Sequence, residues 1–501
     1  MIEREVKLSA WPGFSLPDLD GIAEGARTRR RETVDLDATY HDTPDLRLAR
    51  RGITLRHRRR GARETWTLKL PLDDALAGGL TRDEVEVRGP ADRVPDELAL
   101  LVACHVRTGA LGPVARLTTV RRRTVVEGPD GPLAEIDDDE VSIMDRGRVA
   151  ARYRELEVEV AADADGAVAE ALVARLARAG AEPAPPRPKV HHALGPPASA
   201  PPELPPLELG DAPTAGEVVT DALRGSVVQL LDHHPVAVQG EDPEGVHKMR
   251  TAARRLRSDL RTFRPLLDRD VTDPLRNELK RLGEVLGDVR DPDVLAERLR
   301  TSAARVLDPG DGDALDEVLG RLDADRDAAV AVLHRALGSG RYRRMLDALV
   351  AVAEAPPLRG DADQPAAEVL PALVRKPWKD LRGMVADLDD DPTDDALHEV
   401  RKQAKAVRYA AQAVQPAVGK PAKRGAKGAR AVQDLLGDHQ DTVESEAWLR
   451  EAAGADDLGP RAAFVIGALV ADERAQRRSL RERWAETWDD ASDPERWDWV
   501  P

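Results

Sequence analysis

Two different rhythms of apolar and polar positions divide the chain. In the first part, short runs alternate with a period of two, the pattern of strands whose faces differ: Glu3 to Leu8, Ile53 to Arg59, Thr65 to Leu70, Thr81 to Arg88, Leu117 to Val126, Leu133 to Asp137 and Arg154 to Val160. After residue 213 the apolar positions recur at helical spacing instead. The intervening segment 183–213, PAPPRPKVHHALGPPASAPPELPPLELGDAP, favours extended, semi-rigid chain over helix or sheet. The expected fold class is α+β in two domains: a β-rich domain over 1–195, a proline-rich linker over 196–213 and an all-α domain over 214–501.

The helical part repeats itself. VHKMRTAARRLRSDL, from Val246, realigns with LHEVRKQAKAVRYAA, from Leu397, and VLGDVRDPDVL, from Val285, realigns with LLGDHQDTVES, from Leu435. The repeat predicts two similar halves, about 214–355 and 366–490, joined by the segment that begins at Pro356. Asp242-Pro243 and Asp391-Pro392 each read as a helix start, a capping side chain followed by proline in the first turn.

Strand parity gathers charge on chosen faces. Glu3, Glu5 and Lys7 share one face, as do Arg56 and Arg58, Thr67 and Lys69, Arg82, Glu84 and Glu86, Arg121 and Arg123, Glu135 and Asp137, and Glu155, Glu157 and Glu159. Any one such pair is ordinarily a solvated face. Seven strands that each carry charges of chosen sign suit instead a barrel whose interior is lined by both signs. Carboxylates there would hold divalent metal through oxygen, and arginine and lysine would hold phosphate.

The helical repeats carry a second pattern. His247, Arg250, Arg254, Arg257 and Arg261 stack along one helix face, beside an apolar stripe of Met249, Ala253, Leu256, Leu260 and Phe263. His398, Arg401, Lys405 and Arg408 reproduce the stripe, with Lys402 alongside. Like charges at this spacing repel by a few tenths of a kcal/mol per pair, so a stripe without acidic partners, present twice, points to a polyanion. Each histidine reads equally well as a helix-start residue bonded to nearby backbone. Lys280 and Arg430 correspond across the repeat and would extend the basic surface, while Asp288, Asp291, Asp438 and Asp441 read as braces for arginines or helix ends. The tryptophans near the end, Trp484, Trp488, Trp497 and Trp499, are expected to dock on the protein's own surface.

Composition narrows the setting. Of 501 residues, 42% are hydrophobic and 33% charged, a globular balance. The formal net charge of −16 argues against a general nucleic-acid binder, although local arginine clusters survive a negative total. The single cysteine, Cys104, leaves no internal disulfide and no Cys/His zinc site. No run approaches the roughly 18 apolar residues that span a bilayer, so a cytoplasmic protein without a membrane partner is expected.

These residues resemble two families. Glu3-Arg4-Glu5-Val6-Lys7 matches the ExExK motif of CYTH domains, the triphosphate tunnel metalloenzymes, and YHDTPDLRLARRGITLRHRR, Tyr40 to Arg59, resembles their second block. Trp66 to Lys69, the arginines at Arg121, an acidic turn at Asp137, ELEVEV from Glu155 and Lys189 follow in the family's order, over roughly residues 1–195. The resemblance implies an antiparallel β-tunnel that hydrolyses a phosphoanhydride with Mg2+ or Mn2+. Glu3, Glu5, Glu157 and Glu159 would be metal ligands, with Asp137 joining them or orienting water and Glu155 the uncertain member of its strand. Lys7, Arg56, Arg58, Lys69, Arg121, Arg123 and Lys189 would hold phosphate, and Lys7, Glu5 and Asp137 would act most directly in catalysis. From about 214 to 490 the HxxR helices and the LGDxxD segments resemble CHAD, a pseudo-twofold helical domain that binds inorganic polyphosphate. Inorganic triphosphate and long-chain polyphosphate are the partners so implied. Thiamine triphosphatase, adenylate cyclase and a non-catalytic polyphosphate binder are the alternatives, and oligomeric state is not legible.

Overall fold

In the computed structural model, which describes residues 2–72, 79–129, 131–161, 166–240, 242–454 and 458–501, the chain forms two compact units, Met1–Glu203 and Leu204–Pro501. The first is built from ten strands: β1 (Ile2–Ala10), β2 (Arg27–Arg30), β3 (Val34–Asp42), β4 (Thr54–Arg60), β5 (Arg63–Pro71), β6 (Leu80–Arg88), β7 (Gly112–Gly128), β8 (Gly131–Asp145), β9 (Arg148–Val160) and β10 (Glu182–Pro183). Eight of them close a barrel in the order β1-β6-β5-β4-β3-β7-β8-β9, with β9 returning to β1, and every pairing is antiparallel. β2 pairs with β7, and β10 with β1. A two-residue turn joins β8 to β9, with both Arg146 and Gly147 at positive φ, as a tight hairpin of this twist requires.

The barrel is apolar outside where a helix covers it and charged within. α1 (Gly166–Arg178) lays Val168, Ala169, Leu172 and Leu176 against Leu8, Ile136, Leu156 and Val158, the outward members of β1, β8 and β9. Each leucine buried in this way contributes about 1.5–3 kcal/mol. With that face committed to packing, the alternation of the strands turns Glu5, Lys7, Asp137 and Glu157 inward. One end of the interior is filled by apolar side chains, Ala38, Tyr40, Leu117 and Val141, on which Val190 of α2 (Val190–Leu194) packs.

The second unit is helical. Its elements are α3 (Ala215–Asp232), α4 (Pro243–Thr262), α5 (Arg269–Val306), α6 (Gly312–Leu337), α7 (Gly340–Glu354), α8 (Ala372–Ala386), α9 (Asp394–Ala413), α10 (Lys420–Ala453) and α11 (Pro460–Ser492). α4, α5 and α6 correspond to α9, α10 and α11, and α4 packs against α9. Ends of α5, α6, α10 and α11 share one core through Leu299, Val318, Leu449 and Val465. The terminal tryptophans lie on this unit itself: Trp497 is buried and stacks on Trp378 of α8, ring centroids 4.0 Å apart. No helix among the described residues is long and apolar enough to cross a membrane.

Three expectations change. Asp242 caps α4, accepting from the Glu244 N–H at 2.8 Å, but α9 is capped by Thr393, and Asp391 pairs instead with Arg481 at 2.6 Å. Asp137 stands mid-strand in β8, not in a turn. The proline-rich stretch is not all extended linker, since it contains α2 and a short 3-10 turn over Pro196–Ser199.

Candidate functional site

The closed ladder brings the charged positions of seven strands around one cavity of about 380 Å³, lined by Lys7, Arg56, Lys69, Arg121, Glu157 and Lys189 among others. Glu3, Arg58, Arg123 and Glu159 line it too, as do Arg82, Glu84, Glu86 and Glu135. Register explains the mixture of signs. Glu3 faces Arg82, Lys69 faces Glu84, Lys7 faces Glu157, Arg121 faces Asp139 and Arg123 faces Asp137. Opposite charges in direct cross-strand register attract, so the ladder holds its own ions in place.

At the centre of the network is Glu157, which pairs with Lys7, Lys189 and Arg121, the last at 3.1 Å. Against the upward push of burial, Lys189, Lys7 and Arg121 hold its carboxyl well below the usual range. Lys189, just ahead of α2, reaches Asp139 at 2.8 Å and Glu155 at 3.1 Å. Tyr153 donates its hydroxyl to the Lys189 carbonyl at 3.3 Å and so fixes the backbone that carries this lysine. Arg121 grips Asp139 at 2.6 Å and also pairs with Asp137, which Arg123 meets at 2.7 Å. Lys69 lies 2.5 Å from Glu3 and 2.9 Å from Glu84, and Arg82 lies 2.5 Å from Glu5. Arg58 reaches Glu86 at 3.2 Å; Arg56 beside it, together with burial, lowers its pKa to about 10.

The block from Tyr40 to Arg59 now has a structural account. Tyr40 points into the barrel, while the buried Asp42 accepts from the Thr43, Leu48 and Ala49 N–H groups at 2.7, 2.9 and 2.9 Å. That carboxylate shapes the loop that delivers Arg56 and Arg58 into β4.

One acid differs from the rest. Glu159 has no cation within ion-pair distance among the described residues, and burial, then Glu3 and Asp137, push its carboxyl up to about 7. Lys69 and Arg123 act on it only from beyond ion-pair distance, so this carboxyl is the one left short of positive charge, and an oxygen donor of this kind suits a hard divalent cation. Glu159 is therefore the acid open to such an ion, and Glu3 beside it would join only by exchanging its pairs with Lys69 and Arg82; Glu157 and Asp137 are likewise compensated by lysine and arginine. The five acids named from sequence are not drawn into one cage: no group of three or more His, Cys, Asp or Glu among the described residues is arranged to hold a metal ion. Sequence reasoning passed over Asp139 and left Arg82 out of the site, although the parity that selected Asp137 and Glu84 also selects them.

In the helical unit the two basic stripes meet. Arg250, Arg254 and Arg257 of α4 and Arg401 of α9 surround Lys405, whose burial and then Arg254 lower its pKa to about 7. Arg250 pairs with Asp291, the brace expected from sequence. The glycines of the LGD segments lie against this layer: a Cβ at Gly287 would be in ordinary contact with Arg250 Nη2 at 3.4 Å, and one at Gly437 with Arg401 Nε at 3.5 Å. Arg261 is exposed beside Arg257, and Arg408 lies over the Tyr409 ring at 4.6 Å. Lys402, Lys280 and Arg430 are exposed and pair with Glu399, Glu284 and Asp434 on their own helices. His247 is half-buried near Arg250 and Arg254, and His398 Nδ1 is buried with no hydrogen-bond partner among the described residues.

Known proteins carry the same arrangement. The CYTH domain family matches residues 1–181 and the CHAD domain family residues 221–450. A Mycobacterium tuberculosis protein, Rv2226, is 33% identical over 510 residues, which cover 96% of this chain and 94% of that one. Among solved structures, PptA from Streptomyces chartreusis is 26% identical with a TM-score of 0.45, covering 55% of this chain and 99% of its own. The CHAD domain from the plant Ricinus communis is 26% identical with a TM-score of 0.46, covering 57% of this chain and 95% of its own. CYTH proteins bind triphosphates as triphosphatases or cyclases and are typically metal-dependent, and CHAD domains are associated with polyphosphate. The two family models fall in the order of the two units, the Mycobacterium relative matches along nearly the whole of both chains, and the chain belongs to the family of proteins that join a CYTH domain to a CHAD domain.

Proposed function

We propose that the barrel is a divalent-cation-dependent triphosphatase acting on inorganic tripolyphosphate, and that the helical unit binds polyphosphate chains. The observation that carries this reading is the convergence of Lys7, Arg56, Arg58, Lys69, Arg121, Arg123 and Lys189 on one cavity. A triphosphate carries about four negative charges, and at an effective dielectric near 20 each cation at 4 Å contributes on the order of 4 kcal/mol before desolvation. Several such contacts outweigh the loss of its water. Lys7 and Lys189 hold phosphoryl oxygens deep in the cavity, Arg56 and Arg58 hold them along β4, and the apolar end at Tyr40 and Val141 keeps bulk water out. Glu3 and Glu159 are the acids that would hold Mg2+ or Mn2+, which supplies charge neutralisation and a more acidic water. Inorganic substrate is favoured because a polyphosphate-associated domain lies on the same chain.

Orthophosphate release from tripolyphosphate, ATP and thiamine triphosphate by the purified chain, with Mg2+ and with Mn2+, tests the reading. Tripolyphosphate is expected to be cleaved fastest, and Glu5→Ala to be at least a hundredfold slower, about 2.7 kcal/mol in the barrier. No release, or equal release by the variant, would overturn it. A non-catalytic holder of polyphosphate is the second reading, favoured by the pairing of most cavity acids with cations. It requires retention of the polymer with no shortening.

A further inference from the structure

The pseudo-twofold of the helical unit is broken at one place inside the cationic cluster. The position matching Ser258 of α4, one residue past Arg257, is Tyr409 of α9, one residue past Arg408. Tyr409 is buried, and its ring gathers arginines from both halves. Arg254 donates from Nε to the Tyr409 hydroxyl oxygen at 2.9 Å, and the guanidinium carbons of Arg408 and Arg255 lie 4.6 and 5.8 Å from the ring centroid. Arg255 is further tied to Asp259 at 3.0 Å and to Gln412 at 2.9 Å. Like charges repel one another out of such a cluster unless something orders them, and an aromatic face with a hydroxyl acceptor does so without adding an anion that would compete with a phosphate chain.

We propose that Tyr409 is a positioning residue of the polyphosphate site, locking Arg254 of the first half beside Lys405 of the second so that the two stripes act as one site. This rests on the reading that the stripes bind polyphosphate. Tyr409 touches no ligand in this role. It acts through Arg254, whose guanidinium would otherwise swing away from Lys405 and the three arginines around it. A smaller residue such as the serine of the first repeat offers neither the ring nor the reach.

The experiment measures binding of the full chain to a polyphosphate of defined length by calorimetry, in a double-mutant cycle of Tyr409→Phe and Arg254→Ala. Tyr409→Phe keeps the buried ring and loses only the acceptor. It is expected to weaken binding about threefold to tenfold, and to add little once Arg254 is alanine, because both changes remove one coupled pair. Arg254→Lys keeps the charge but offers no Nε–H, and should reproduce most of the Tyr409→Phe loss with the tyrosine in place, so the proposal stays testable if Tyr409→Phe folds poorly. Unchanged binding in both conservative variants, or full additivity in the cycle, would overturn the proposal. Failure of the unmodified chain to bind polyphosphate at all would instead overturn the reading on which it rests.

Discussion

Glu5 of β1 and Glu159 of β9 are direct partners across the ladder, yet their surroundings differ: Arg82 lies 2.5 Å from Glu5, while no cation lies within ion-pair distance of Glu159 among the described residues. Two carboxylates in direct register are destabilising on their own. The arrangement is balanced on one side only, and the missing charge belongs near Glu159.

Millimolar Mg2+ or Mn2+ is therefore expected to raise the melting temperature of the protein without any substrate. Glu159→Gln should remove most of that rise while leaving the metal-free melting temperature equal to or above that of the unmodified chain, since burial already disfavours the ionised acid. Thermal melts with and without the cation check this. A full metal-induced shift in the variant would place the ion elsewhere.

Asp139, fully buried between Arg121 and Lys189, is a structural anion of the barrel. Replacing it with asparagine removes one of several carboxylates around two buried cations, Arg121 keeping Asp137 and Glu157 and Lys189 keeping Glu155 and Glu157, and is expected to cost about 1–3 kcal/mol. Urea unfolding of Asp139→Asn should show that loss, and tripolyphosphate should restore part of it by supplying the missing negative charge. Stability equal to that of the unmodified chain would mean that Asp137, Glu155 and Glu157 compensate the two cations without it.

Lys405 is expected to give the proposed polyphosphate binding a pH dependence. Its pKa stands at about 7 in the ligand-free protein, against an ordinary 10.5, because burial and the neighbouring arginines disfavour the proton. A bound polyanion favours that proton, so binding should take one up. Affinity is expected to rise as pH falls, by up to about tenfold per unit above 7, and to level off below it. The ligand-free fold shows the opposite trend: the unfolded chain holds this proton between pH 7 and 10.5 where the folded chain does not, so its contribution to stability grows as pH rises through that window. Lys405→Met should weaken binding, flatten the dependence above pH 7 and raise the melting temperature at neutral pH. Calorimetry at several pH values would detect the proton, and an unchanged profile in the variant would assign the dependence to another group.

Much of this was legible in the chain. The runs at Glu3, Thr65 and Arg154 announced β1, β5 and β9 because their alternation is strict, and the repeat at Val246 and Leu397 announced α4 and α9 because it preserves both stripes. β3 was passed over although Val34–Asp42 alternates just as regularly, with Val34, Leu36, Ala38 and Tyr40 on one face and Asp35, Asp37, Thr39 and His41 on the other; the closed barrel turns Ala38 and Tyr40 inward. Parity told which charges share a face, but not which acid would be left unpaired, because that depends on the register between β1, β8 and β9. The convergence of Arg254 and Lys405 was likewise unreadable, since nothing local shows that α4 and α9 pack against each other.

In the proposed function, the cations of the barrel cavity hold a triphosphate for hydrolysis. The most direct test is kcat/KM for tripolyphosphate in the unmodified chain and in Arg56→Ala, whose guanidinium lines the cavity beside Tyr40 and Glu84. A fall of about a hundredfold or more, worth roughly 2.7 kcal/mol, is expected. Equal values in the two proteins would contradict the claim.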